Sequence, residues 1–195
     1  MKLLPLACPQ CHTALLANNP DIVVSCPNCQ AIIQIDEEGL TRLPASFIAP
    51  PAGPETPVQS WLPFWMFEAK VNLGERKSQG GRSQENEARA LWGQQRRFFI
   101  PAWELPMAQL RQISSDFVQT PPRMARLGAA PAGGPPMTPA STSAADAAKM
   151  IEFIVLDIEA RRSDYLRHLH YDVQIKDGPH LVLLPADGRG LMHRH

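Results

Sequence analysis

The sequence predicts an α+β protein, with a small N-terminal β unit followed by a mixed β-sheet domain carrying one or two helices. Three observations lead there. All four cysteines fall within the first 29 residues, as Cys8-Pro9-Gln10-Cys11 and Cys26-Pro27-Asn28-Cys29, with short β-type segments around them. A dense aromatic run without helical period, "SWLPFWMFEAKV", is answered by a second, "RRFFIPAW". Between prolines, "PMAQLRQISSDFV" repeats Leu110, Ile113 and Phe117 at helical spacing.

The bulk properties set limits on function. A chain of 195 residues has room for one ordinary domain, or for a small stapled module beside a modest second domain. With 44% hydrophobic and 19% charged residues it can build a core, yet no apolar run approaches the roughly 20 residues that cross a bilayer. A formal net charge of zero gives no general attraction to nucleic acid or anionic lipid, so such binding would need a local patch. "MKLLPLAC" offers one lysine and an apolar run broken by Pro5, too short for a secretory signal; a cytoplasmic location is expected.

The cysteine pairs are one device used twice. In C-P-x-C the proline fixes φ for a turn whose amides point at the sulfurs, and two such knuckles joined by a hairpin supply four thiolates at tetrahedral corners. That is the donor set of a closed structural zinc site. Between the knuckles we expect a strand over Thr13–Leu16, a turn at Asn18-Asn19-Pro20-Asp21 and a strand over Ile22–Ser25. A third strand, Ala31–Asp36, ends at Glu37-Glu38-Gly39. Residues 1–42 resemble a zinc ribbon of the rubredoxin-like kind, which implies Cys8, Cys11, Cys26 and Cys29 as ligands of one structural Zn2+.

Other chemistries fit the same residues less well. Cys8-x-x-Cys11-His12 is also a haem-attachment pattern, but haem would leave Cys26 and Cys29 unexplained. Iron takes the same four thiolates, although electron carriers of that type surround the metal with aromatic residues and glycines, and here His12 and Gln30 follow the knuckles. Dithiol redox chemistry at either pair lacks a thioredoxin-like βαβ context. Over residues 1–40 only Lys2 opposes Asp21, Asp36, Glu37 and Glu38, which makes this unit a poor phosphate binder.

Beyond it, residues 43–59 ("LPASFIAPPAGPETPVQ") carry five prolines and are expected to form an extended, semi-rigid linker. Residues 60–120 form the first part of the mixed β domain. In its opening strand Phe64, Met66 and Glu68 face one way, and Trp65, Phe67, Ala69 and Val71 the other, so a strand buried on at least part of both faces is expected. Glu75–Gln94 is polar and glycine-broken and reads as a mobile hairpin loop; Arg96–Trp103 reads as the returning strand, and Pro106 opens the helix.

Residues 121–148 are rich in Ala, Pro and Gly and are expected to form a disordered excursion. Residues 149–186 should complete the sheet with a strand Met150–Ala160, a short helix or turn over Ser163–Leu169, and strands Tyr171–Lys176 and His180–Pro185 around an Asp177-Gly178 turn. A flexible tail, 187–195, follows. The ribbon followed by "WLPFWMFEAKV" and "RRFFIPAWEL" resembles uncharacterised prokaryotic zinc-ribbon proteins in which a W-x-P-F-W strand precedes a P-A-[aromatic] element. That resemblance covers most of the chain and implies no activity.

No nucleophile elbow, metalloprotease helix, P-loop or dinucleotide fingerprint is present. His168 and His170, beside Tyr165 and Asp172, read as partly exposed residues at a helix-to-strand junction rather than as a second metal or acid/base site. The one basic stretch, Glu68–Arg97, sets seven cations against four glutamates around Trp92 and reads as a solvated loop. The expected function is that of a non-catalytic accessory or adaptor protein with a protein partner. The alternatives are a nucleic-acid-binding accessory factor of transcription or replication, and an enzyme with an unrecognised site.

Overall fold

The structure, a computed structural model, describes residues 6–50, 57–79, 82–125, 127, 134–187 and 189–192. It is α+β. The first unit is an antiparallel sheet of β1 (Val23–Ser25), β2 (Ile32–Ile35) and β3 (Leu40–Arg42). β2 and β3 join through a turn in which Asp36 Oδ1 accepts from the amides of Glu38 and Gly39, and Gly39 takes φ 143°.

The second unit is a mixed sheet of β4 (Ala45–Phe47), β5 (Ser60–Ser78), β6 (Arg96–Pro101), β7 (Leu166–Asp187) and β8 (Gly190–Leu191). Its strand order is β4-β7-β5-β6, with β8 folded back on the end of β7. β4 runs parallel to β7, and all other pairs are antiparallel. Among the described residues three helices, α1 (Arg82–Trp92), α2 (Met107–Gln119) and α3 (Ala144–Ala160), stand where the sequence suggested one or two.

Both faces of the sheet are covered, as the alternation along β5 predicts. On one face Trp65, Phe67, Ala69 and Val71 of β5 join Phe98 and Ile100 of β6, and Ile151, Ile154, Val155 and Ile158 of α3 cover them. On the other, Phe64, Met66, Phe99 and Val182 pack with Phe117 of α2 and with Ile48. Phe64, Phe99 and Phe117 are each buried to within 1%, and burying such a side chain stabilises a fold by roughly 1.5–3 kcal/mol.

Several local expectations are corrected. Thr13–Leu16 is not a strand; its backbone is spent folding back on the first knuckle, with Leu15 N donating to Leu6 O and a single bridge at Ala7–Ala14. Glu75–Gln94 is not a loop throughout: β5 continues to Ser78, and α1 follows, its Ala88 and Trp92 buried. Met150–Ala160 is helical, because Ala147, Ile151, Ile154, Val155 and Ile158 form one buried stripe and Ser143 caps the start by accepting from Asp146 N. Ser163–Leu169 is neither helix nor turn beyond Asp164, since β7 begins at Leu166.

The Asp177-Gly178 pair does not turn the chain. β7 runs through it while pairing with β5, and a Cβ at Gly178 would meet Met66 O at 2.8 Å, so glycine there permits a close strand approach. The proline-rich segment is more than a spacer: β4 lies inside it and inserts Phe47 beside Trp61, while Ile48 N donates to Leu183 O. Residues 51–56 of that segment fall outside the described residues.

The Ala/Pro/Gly-rich excursion also contributes order. Leu127 N donates to Phe47 O, Met137 and Ala140 are buried, and residues from 144 onward are in α3; residues 126 and 128–133 fall outside the described ones. In the tail, β8 pairs with Ala186 and Asp187, while 188 and 193–195 lie outside.

The two sheets meet along residues 136–140. Ala140 exchanges backbone hydrogen bonds with Val23 of β1, Trp61 N of β5 donates to Pro136 O, and Thr138 N donates to Trp61 O. Val23 and Ile32 thereby share a core with Phe47, Trp61, Met137 and Ala140. Because side chains alternate along a strand, Val24 and Ile33 point the other way, into the small cluster around Cys8 and Cys26.

Candidate metal centre

The four cysteine sulfurs lie within 4.8 Å of one another. Cys8 Sγ is 3.7 Å from Cys29 Sγ, and Cys11 Sγ is 3.5 Å from Cys26 Sγ. Cys8 and Cys26 are buried, while Cys11 and Cys29 are half-buried.

The two knuckles have the same backbone. His12 N donates to Cys8 O, and Gln30 N donates to Cys26 O, each bond reaching four residues back along the chain. Cys8 N donates to Thr13 O as Cys26 N donates to Ala31 O. Each turn closes on a left-handed residue, His12 at φ 61° and Gln30 at φ 59°, a conformation that favours glycine. The first turn also aims the Gln10 amide at Cys8 Sγ, at 3.4 Å.

The sulfurs do not ionise alike. The Thr13 hydroxyl, 3.4 Å from Cys11 Sγ, and the Thr13 backbone favour the thiolate and bring Cys11 down to about 5. At Cys29 the Ala31 amide works the same way, but burial and hydrogen bonds with the other three sulfurs outweigh it and push the thiol up to about 12. Four sulfurs this close repel one another once charged, and a dication relieves that repulsion. The arrangement can hold a metal ion such as zinc. His12 is exposed and lies outside the set.

The other singled-out residues do not assemble into a site. His168 and His170 both lie on β7 and share a face, at neither a helix end nor a junction. His168 Nε2 is 3.5 Å from Glu75 Oε2, and the His170 ring lies over Gly74. Among the described residues neither belongs to a group of metal-ligating side chains. Three of the seven cations of the basic stretch are paired locally: Lys77 with Glu75, Arg89 with Glu85 and Arg97 with Glu68. The aromatic residues Phe64, Trp65, Phe67, Phe98 and Phe99 are core.

Sequence reading missed a buried ionic network. The Arg76 guanidinium grips both oxygens of Asp164 and donates Nε to Glu159 Oε2 at 2.8 Å. Glu159 Oε1 accepts from Trp92 Nε1 at 2.7 Å and from Arg162 Nε at 2.8 Å. Arg76, with its hydrogen bond to Asp164 first, holds that carboxyl below its ordinary range against the effect of burial. The partners are 83 and 88 residues apart, a separation that no local pattern signals.

No family model matches the chain, nor does any curated protein or solved structure. Among the described residues no helix is long and apolar enough to cross a membrane.

Proposed function

We propose that the chain is a non-catalytic accessory protein whose Cys8, Cys11, Cys26 and Cys29 bind one structural zinc ion, and which works through contact with another protein. The closed set of four sulfurs supports this reading most directly. Four thiolates complete a tetrahedral zinc site and leave no position for substrate. When bound, zinc supplies folding free energy, on the order of 10–16 kcal/mol for small zinc modules. The ribbon needs it: its own core is little more than Leu15, Val24, Ala31 and Ile33 around the sulfurs.

The chain's residues do the rest. The Gln10 amide orients the Cys8 sulfur, and the opposite face of β1 and β2 presents Val23 and Ile32 to the second unit. The buried carboxylates of Glu159 and Asp164 are fully engaged by arginines and an indole, which is the arrangement of a structural network rather than an acid/base pair.

Elemental analysis of the purified protein tests the metal reading: one zinc per chain is expected, with loss of metal and of ribbon order in Cys26→Ser. A metal-free protein, or one carrying iron, overturns it. Capture from native lysate tests the partner: stoichiometric proteins retained after nuclease support the adaptor reading, and salt-sensitive capture lost on nuclease treatment replaces it with nucleic-acid binding.

A further inference from the structure

β7 pairs with β5 along one edge, from Leu166 to Ala186. Along its other edge β4 reaches only Leu181–Leu183, and β8 only Ala186 and Asp187. Among the described residues no strand pairs with that edge between Leu166 and His180. Such an edge offers amide and carbonyl groups to another strand.

The order of side chains identifies that strand. Asp172, Gln174 and Lys176 stand exposed at alternate positions on one face, linked in series: Gln174 Nε2 donates to Asp172 Oδ2 and Lys176 Nζ to Gln174 Oε1, each at 2.9 Å. Read backwards, this row is its own charge complement. The register between β5 and β7 shifts between Glu68 and Ala69, so Lys176 has no residue opposite it on β5.

We propose that this edge is a homodimerisation surface, with β7 of two copies pairing antiparallel about Gln174 so that Asp172 of each copy faces Lys176 of the other. A two-fold contact brings one patch against itself, and only a self-complementary row satisfies it without like charges meeting. The same register sets Ile175 opposite Val173 on the reverse face. Ile175 is 44% exposed in the single chain, and a second copy covers it. The contact is independent of the metal reading, because none of these residues belongs to the ribbon.

Sedimentation velocity of the full chain across low to high micromolar concentration tests the proposal. The wild type is expected to be a concentration-dependent dimer. Lys176→Glu sets Asp172 against Glu, and Asp172→Lys sets Lys against Lys176; with two such contacts per dimer, each variant should weaken dimerisation at least about tenfold. Both side chains are exposed, so circular dichroism should report an unchanged fold. Mixing the two single variants then restores complementarity, and a heterodimer should form at wild-type concentrations. A wild type that stays monomeric at high micromolar concentration, a dimer indifferent to both substitutions, or a mixture that remains monomeric overturns it.

Discussion

Replacing Arg76 by methionine keeps the length and most of the volume of the side chain while removing its charge. In the wild type the guanidinium makes two hydrogen bonds to Asp164 and one to Glu159, and the side chains are 5%, 1% and 0% exposed respectively. Glu159 keeps Trp92 and Arg162, whereas Asp164 loses its counter-ion in a site that water does not reach. Breaking a buried pair by removing one partner typically costs about 3–5 kcal/mol. Set against a total stability of roughly 5–15 kcal/mol, that is a large fraction, and it should lower Tm by about 10 °C for a chain of this size.

The pH dependence follows from Asp164. Its carboxyl is held below the ordinary 3.8 by Arg76, so its contribution is fully present above that value and is lost as pH falls through the lower folded value. In Arg76→Met the unpaired, buried Asp164 can instead take up a proton, so the gap between variant and wild type should be widest near neutrality and should narrow in acid. Urea unfolding followed by far-UV circular dichroism, with metal present and at a series of pH values, measures both. A loss under about 1 kcal/mol at neutral pH, or a gap that stays constant into acid, would refute the account of this network.

Three further outcomes are expected. Gln30→Gly removes a left-handed strain at φ 59° and should stabilise the ribbon by about 1 kcal/mol, seen as a higher chelator concentration needed to unfold it. Ser143→Ala deletes the cap of α3, in which Ser143 Oγ accepts from Asp146 N at 3.1 Å, and should cost about 1 kcal/mol in urea unfolding. Removing the metal with a chelator should raise hydrogen exchange not only in residues 8–42 but also at Met137, Thr138, Ala140 and Trp61, because these amides are bonded across the seam to β1 and to one another.

The parts of the fold that were legible are those in which chemistry or period is local. Both C-P-x-C pairs declare themselves by spacing, and the two buried faces of β5 follow from strict alternation along Phe64–Val71. The failures have particular causes. In α3 the exposed Phe153 and Leu156 fill the gaps in the helical stripe, so a run rich in Ile and Val looks like a continuous buried strand. α1 buries only one edge, through Ala88 and Trp92, so its polar remainder hides the period.

Asp177-Gly178 has the chemistry of a hairpin turn, but β5 provides a partner on both sides of it, and pairing overrides the local preference. β4 escapes notice because three residues between prolines carry too little signal, although Phe47 and Ile48 both reach the core. The Arg76 network depends on residues far apart in sequence and could be seen only once the chain was folded.

The seam at residues 136–140 also bears on the order in which the molecule can be assembled. The cysteine unit precedes the rest of the described fold in the chain, and all four of its sulfurs are present by residue 29, yet the backbone partner of β1 is Ala140 and the neighbour of β4 is Leu181–Leu183. If the proposed ion binds, it can do so early in synthesis, while the Val23 and Ile32 face and β4 wait for chain made more than a hundred residues later. Long-range pairings of this kind slow folding, because the loop must close before the contacts reward it. A cysteine unit set early by the proposed ion would give the late-arriving strands a finished surface to close upon.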